Sequence, residues 1–320
     1  MKKLIKTLIT VAALAASPML LAQAYPNKPI KLIVPFPPGG AADIIARAYA
    51  VKLTDALGQP VVLDNRPGAD TIIGMETTAR AQPDGYTLIL AINSALSMNP
   101  ALYSKLPYDG NKDFSPVAMV ASAPLALVVP PTSPAKTAAE LGAMMKAEPG
   151  KYSYGSGNMV ARVGAEALLS ATGGKAVPIM YKGSAPTIVD LMRGEVQFAF
   201  EPAVVVMPHV KAGKMRALGV ASSKRSPAAP DVPTLAETGM AGFDIPVWFG
   251  FMAPAGTPRA IVNQLQAELA RASQSPDVKE KLAGIGVEVL SSSPEQFTTA
   301  MNAERDVWVK RIREWGLKVD

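Results

Sequence analysis

Strand-like and helix-like runs alternate along almost the whole of this chain. Short apolar runs typical of strands are followed repeatedly by runs with helical spacing. The predicted strands are Ile30–Val34, Val61–Leu63, Thr87–Ala91, Lys151–Tyr154, Ala176–Tyr181 and Val196–Phe200. The first predicted helix starts at Ile44. Six further helices are predicted, at Gly74–Arg80, Ala138–Ala147, Ala161–Ala171, Thr187–Arg193, Arg259–Ser273 and Pro294–Trp315. Such alternation favours an α/β fold with largely parallel sheets.

The length of the chain predicts two lobes. Its 320 residues exceed what one hydrophobic core usually organises. Two long apolar segments, Pro116–Pro130 and Phe243–Ala253, are candidates to cross between the lobes. We therefore expect lobe 1 to contain residues 25–125 and 250–320, and lobe 2 to contain residues 126–249. The last helices should pack back on lobe 1.

The first residues are typical of a secretory signal peptide. Three lysines precede an apolar run, Leu8–Leu21, that ends at the small-residue site Ala22-Gln23-Ala24. Cleavage after Ala24 is predicted, and no later stretch approaches the roughly 20 apolar residues of a membrane-spanning helix. Because the chain has no cysteine, neither a lipid anchor on the mature amino terminus nor a disulfide framework is available. We expect a periplasmic protein.

Composition argues against several function classes. The formal net charge of +6 falls to +3 without the three leader lysines, and no basic run is interleaved with aromatic residues, so nucleic acid is not an expected partner. Neither a hydrolase elbow, a zinc-protease motif nor a phosphate-binding loop is present. His209, the single histidine, is assigned a structural role. No enzyme activity, cofactor or metal is expected, and a periplasmic hydrolase is the remote alternative.

The first strand runs through prolines and paired glycines directly into a helix. Backbone N–H groups from Gly39 to Asp43 lie where intrahelical partners are lacking, and the helix dipole adds positive potential. Glycine lets a ligand approach the backbone, while the prolines stiffen the entry. The junction predicts an anion site, although a turn that binds nothing is the alternative. Its candidate ligand-binding residues are Phe36, Pro38, Gly39, Gly40, Ala41, Ala42 and Asp43.

Two further junctions repeat this arrangement. At Tyr181–Pro186, Ser184 or Ala185 suits the helix cap and Pro186 the first helical position; an ordinary capped helix is the alternative. At Tyr154–Asn158 a strand meets a helix with Arg162 in its first turn. The candidate ligand-binding residues of these junctions are Ser156, Asn158, Arg162, Lys182, Gly183, Ser184 and Ala185.

Charged side chains near the junctions extend the prediction. Arg162 can pair bidentately with a carboxylate, or be a solvated helix arginine. Glu201, at the end of the run Phe198-Ala199-Phe200-Glu201, can face the cleft or the lobe surface. If both sheets present their carboxyl ends to one cleft, the three junctions converge and can clamp a small anion without covalent chemistry.

At these residues the sequence resembles the solute-binding proteins of the tripartite tricarboxylate transporter, the Bug family, along essentially the whole mature chain. The matching segments are Tyr25–Ile30, Val34–Gly40, Asn65–Ala69, Pro83–Thr87, Asn99–Tyr103, Lys105–Asp109, Tyr181–Pro186, Pro208–Lys214 and Pro254–Pro258. The resemblance implies a type II-like periplasmic binding protein with two Rossmann-like lobes. It also implies closure on a carboxylate and its delivery to the transporter's membrane subunits.

Two departures from the family pattern concern the ligand. Ala41 and Ala42 stand where the family usually has glycine and a hydroxyl residue, and the third loop is shorter, with Arg162 in place of a histidine. We therefore expect a di- or tricarboxylate or an aromatic carboxylate, with Arg162 at its far end. The expected protein is a monomer, and a co-receptor for a membrane sensor kinase is the alternative to transport.

Overall fold

A computed structural model describes residues 25–226, 229–240 and 242–319. The predicted signal peptide, residues 1–24, lies outside the described residues. Within the described residues, no helix is long and apolar enough to cross a membrane.

Strands and helices alternate as the sequence predicts. The strands are β1 (Ile30–Val34), β2 (Val61–Asn65), β3 (Thr87–Ile92), β4 (Phe114–Val129), β5 (Tyr152–Ser156), β6 (Ala176–Met180), β7 (Phe198–Pro202), β8 (Arg216–Ala221), β9 (Pro246–Pro254) and β10 (Glu288–Val289). The helices are α1 (Ala41–Leu57), α2 (Ile72–Ala79), α3 (Asn99–Leu102), α4 (Ala138–Ala147), α5 (Met159–Thr172), α6 (Ser184–Arg193), α7 (Ala203–Lys211), α8 (Arg259–Gln274), α9 (Pro276–Ala283) and α10 (Pro294–Glu314). A π-helical turn, Ser94–Met98, precedes α3.

Eight of these strands form one path in the order β2-β1-β3-β9-β4-β7-β5-β6, and β8 and β10 each pair with β4 off this path. We call β2-β1-β3-β9 the first half of the sheet and β7-β5-β6 the second half. The long strand β4 joins them, because its residues Phe114–Pro124 pair with β9 and its residues Leu125–Val129 pair with β7 and β8. The outer strands pair in parallel in both halves, whereas every β4 and β9 pairing is antiparallel. The expectation of largely parallel sheets is therefore wrong for the centre.

Burial explains why β4 reads as a nearly continuous apolar run. The last five residues of β4, Leu125 to Val129, are fully buried. Helices cover the sheet there, and the sheet contributes to two hydrophobic clusters. The helices α8 and α10 pack against β4, and α8 also packs against α1. These contacts place α8 beside the helix that follows β1, while the assignment of the last helices to lobe 1 stays a prediction.

Candidate functional site

The three strand-to-helix junctions meet around one cavity of about 670 Å³. The β1–α1 loop supplies Phe36, Pro38 and Gly39 to Ala42; Gly157 and Asn158 come from the β5–α5 loop, and Lys182 to Ala185 from the β6–α6 loop. The first loop belongs to one half of the sheet and the other two to the second half. Parallel strands place these loops at their carboxyl ends, where open α/β sheets bind ligands.

Helix α1 begins at Ala41, three residues earlier than predicted. Gly40 is its cap, with extended backbone and no side chain to satisfy the first N–H groups, and Gly39 has a φ of 88° that favours glycine. The sequence predicts that the Gly39 N–H is free, but in the structure this group donates to Asp43 Oδ2 at 3.1 Å. The first helical bond runs from the Ile44 N–H to the Gly40 carbonyl, so the N–H groups of the first turn remain directed out of the helix.

Asp43 supports this loop from behind. Its buried carboxylate accepts hydrogen bonds from Arg47 Nε at 2.8 Å, from Asn65 Nδ2 at 3.1 Å and from Gly39. Burial acts to raise the pKa of Asp43, but these hydrogen bonds outweigh it and hold the pKa below its usual value. Asn65 also donates to the Phe36 carbonyl. The carboxylate therefore holds the glycine turn and does not line the cavity.

The β6–α6 junction is capped differently from the prediction. Gly183, with a φ of 104°, is the cap of α6, and Ser184 is its first residue. Pro186 is consequently the third helical residue, two positions later than predicted, where its missing N–H costs no intrahelical bond. The Ser184 hydroxyl is not used as a cap but donates to Glu201 Oε2.

The β5–α5 junction packs its backbone directly against the β6–α6 loop. Asn158 caps α5 by accepting from the Ala161 N–H at 2.9 Å, and the buried Ser156 hydroxyl donates to the Asn158 carbonyl at 2.8 Å. A Cβ at Gly157 would lie 2.4 Å from the carbonyl carbon of Gly183, far inside van der Waals contact. Only glycine permits this approach, which fixes the two loops against each other.

Glu201 lies beneath both loops and is fully buried. Burial raises the pKa of its carboxyl to about 7, although the Ser184 hydroxyl, the Gly157 N–H and the Thr187 hydroxyl act to lower it. Its Oε1 has no well-aligned hydrogen-bond partner among the described residues. Glu201 ends β7 as predicted, but it supports the loops from the interior and does not line the cavity.

A second cavity, of about 590 Å³, adjoins the first. Six residues line both cavities: Phe36, Pro37, Gly157, Asn158, Lys182 and Gly183. Arg162 lines only the second cavity, and its buried Nε has no hydrogen-bond partner among the described residues. Asp70, which accepts from Tyr103 at 2.6 Å, also lines it. Arg162 therefore belongs to the second cavity, and its predicted contact with a ligand stays a prediction.

Most residues singled out from the sequence line the first cavity, but four do not; one of them is Arg162, which lines the second cavity. Asp43, Ser156 and Glu201 are buried behind the loops, so their direct contact with a ligand stays a prediction. Sequence reasoning missed the apolar wall of the cavity, which comprises Ile92, Ile188, Val189, Met192, Val204, Val205, Val247 and Phe249.

His209, assigned a structural role from the sequence, also lines this cavity. It lies on α7, which follows the carboxyl end of β7 as the other helices follow their strands. That repeated strand-to-helix pattern was the signal that could have identified this part of the wall. Among the residues the structure describes, no group of three or more His, Cys, Asp or Glu side chains is placed to hold a metal ion.

Known proteins are similar to this chain in sequence and in fold. BugT of Bordetella pertussis is 39% identical over 314 residues, which cover 97% of this chain and 96% of BugT. The solved structure of R. palustris Rpa4515 with adipate is 32% identical, covers 92% of this chain and 100% of its own, and superposes with a TM-score of 0.88. MatC from Rhodopseudomonas palustris with bound malate is 30% identical, covers 89% of this chain and 99% of its own, and has a TM-score of 0.85.

The similarity to these relatives extends over nearly the full chain, and the solved structure of the periplasmic binding protein BugD, 31% identical, superposes with a TM-score of 0.86. The model of the tripartite tricarboxylate transporter family receptor, TctC, matches residues 45–317. The chain belongs to this family of solute-binding receptors.

Proposed function

We propose that this receptor captures a small carboxylate in the first cavity and delivers it to the membrane subunits of a tripartite tricarboxylate transporter. The observation that carries the proposal is the convergence of three loops from both halves of the sheet on one cavity. No step requires catalysis, so we propose a binding protein and not an enzyme.

The chemistry of the loops favours a carboxylate. Unpaired N–H groups of the first turn of α1, the Lys182 ammonium group and the amino terminus of α6 all border the cavity. Charge-assisted hydrogen bonds of this kind contribute about 1.5–3 kcal/mol each. The two solved relatives named above hold adipate and malate, which are both carboxylates.

We further propose that the protein closes about β4 and β9. The register of β4 changes partner between Pro124 and Leu125, which supports lobes formed by residues 25–125 with 250–320 and by residues 126–249. Hinge closure would bring the β1–α1 loop onto the other two loops and exclude water. Arg162 would then contact only a ligand that extends from the first cavity into the second.

The mature protein is proposed to begin at Tyr25, to act in the periplasm and to be a monomer. The test is thermal unfolding of residues 25–320, refolded from denaturant to remove any bound ligand, with a panel of mono-, di- and tricarboxylates and amino acids. A ligand at 100 times its Kd stabilises by about 2.7 kcal/mol, which raises Tm by a few degrees. If no carboxylate shifts Tm while the refolded protein is folded, the proposal is wrong.

A further inference from the structure

We propose that the first cavity selects a monocarboxylate with an uncharged, apolar body, such as an aromatic or cyclohexyl ring, over short di- and tricarboxylates. This inference rests on the proposed function and names the substrate class of the same cavity. It follows from the unequal distribution of polar groups around the cavity.

The groups that suit a carboxylate come from two of the loops that line the cavity. Gly39 to Ala42 and Gly183 to Ala185 contribute backbone, and Lys182 contributes the single ammonium group of the described lining. Ala41 and Ala42 add methyl groups and no side-chain donor. These two loops therefore suit one carboxylate.

The remaining wall is built from apolar side chains. Ile188, Val189 and Met192 come from α6, Val204 and Val205 from α7, and Phe249 from β9. Branched aliphatic and aromatic side chains stabilise an apolar ligand body by removing its surface from water. The volume of about 670 Å³ is within the range of cavities that enclose ring-sized ligands.

A second carboxylate would find few partners at this wall. Burying an unpaired charge is costly, and among the described residues that line the cavity His209 is the only titratable side chain besides Lys182. Arg162, the other cation near the loops, lines the second cavity and not the first.

Isothermal titration of the refolded mature protein tests this selectivity. The ligands are benzoate and cyclohexanecarboxylate on one side, and succinate, malate, adipate and citrate on the other. We expect at least one ring monocarboxylate to bind at least tenfold more tightly than every di- and tricarboxylate. Tighter binding of a di- or tricarboxylate would overturn this inference but leave the proposed function intact. If none of these ligands binds in the titration, and no carboxylate of the thermal-unfolding panel shifts Tm, both this inference and the proposed function are overturned.

A charge added to the apolar wall provides a second test. Val189 is 39% exposed and lines the cavity, whereas Val51 is 59% exposed on α1 and does not. Val189→Arg should raise the affinity for adipate relative to benzoate at least tenfold, and the control Val51→Arg should leave that ratio unchanged. If Val189→Arg does not fold, Val205→Lys on α7 repeats the test. An unchanged ratio in a folded wall variant would overturn the inference.

Discussion

The clearest energetic consequence of the site concerns the buried carboxyl of Glu201. Burial raises its pKa from an ordinary 4.5 to about 7, so the folded protein binds a proton that the unfolded chain releases between these values. Stability due to this group is therefore fully present below pH 4.5 and is lost as the pH rises towards 7. Because one pKa unit corresponds to about 1.4 kcal/mol, the loss is about 3 kcal/mol.

Replacing Glu201 by glutamine isolates this effect. The amide keeps the size of the side chain and stays neutral, and its oxygen can still accept from the Ser184 hydroxyl. Urea unfolding, followed by fluorescence of the three tryptophans, would be measured for wild type and Glu201→Gln at several pH values from 4 to 8. The unfolding free energy of the wild type minus that of the variant should fall by about 3 kcal/mol between pH 4.5 and 7, and then level off.

The matched control is Glu195→Gln, at an exposed glutamate just before β7. A surface substitution of this kind should change the unfolding free energy by no more than about 0.5 kcal/mol. If the difference between wild type and Glu201→Gln is independent of pH, or rises with pH, the reasoning about the buried carboxyl is wrong.

Further substitutions test the packing of the loops and their supports. Gly157→Ala should force the two loops apart, lowering the unfolding free energy by about 1–3 kcal/mol and weakening ligand binding at least tenfold in a titration. Gly40→Ala meets no atom within 4 Å, so it should cost at most about 1 kcal/mol yet weaken binding, because the added methyl group would occupy space in the cavity that Gly40 lines; unchanged affinity would contradict this. Asp43→Asn should cost about 1–3 kcal/mol at pH 7, and since the pKa of Asp43 is lowered, the cost should shrink as the pH falls below about 4; urea unfolding at pH 7 and pH 3 would show it. Glu304 accepts hydrogen bonds from Trp248, Asn93 and Ser97, so Glu304→Ala should lower the unfolding free energy by about 2–4 kcal/mol. If the unfolding free energy falls less than in the exposed control Glu295→Ala, these hydrogen bonds do not stabilise the protein.

Local patterns predicted most of the outer sheet. The observed bounds of β1, β3 and β5 lie within one or two residues of the predicted ones, and β1 and β3 were found because buried strands read as uninterrupted apolar segments. The apolar segment Pro116–Pro130 was predicted as a candidate crossing between lobes; β4 pairs with strands of both halves of the sheet, and the division into lobes stays a prediction. The antiparallel pairing of β4 could not be predicted, because strand direction depends on contacts distant in sequence.

Other elements were missed for identifiable reasons. Helix α7 contains Pro208 in its interior, which argues against a helix in a local reading. The π-helical turn Ser94–Met98 has no simple periodicity. Strand β8 is held by its pairing with β4, which only the tertiary structure reveals.

The candidate site was also predicted only in part. Glycines and prolines identified its loops, since those residues are required by backbone geometry, as at Gly39 and Gly183. The apolar wall was not identified, because valines such as Val189 and Val204 are indistinguishable from core residues in sequence. The capping of α6 by Gly183 was missed because the neighbouring Ser184 is engaged by Glu201, a contact 17 residues away.

The most direct test of the central claim is a crystal structure of the refolded mature protein with the carboxylate that raises its Tm most. The account predicts carboxylate oxygens within about 3 Å of N–H groups in the first turn of α1 and of the β6–α6 loop, with the ligand body against α6 and α7. A ligand whose carboxylate lies instead in the second cavity, on Arg162, or outside both cavities would contradict it.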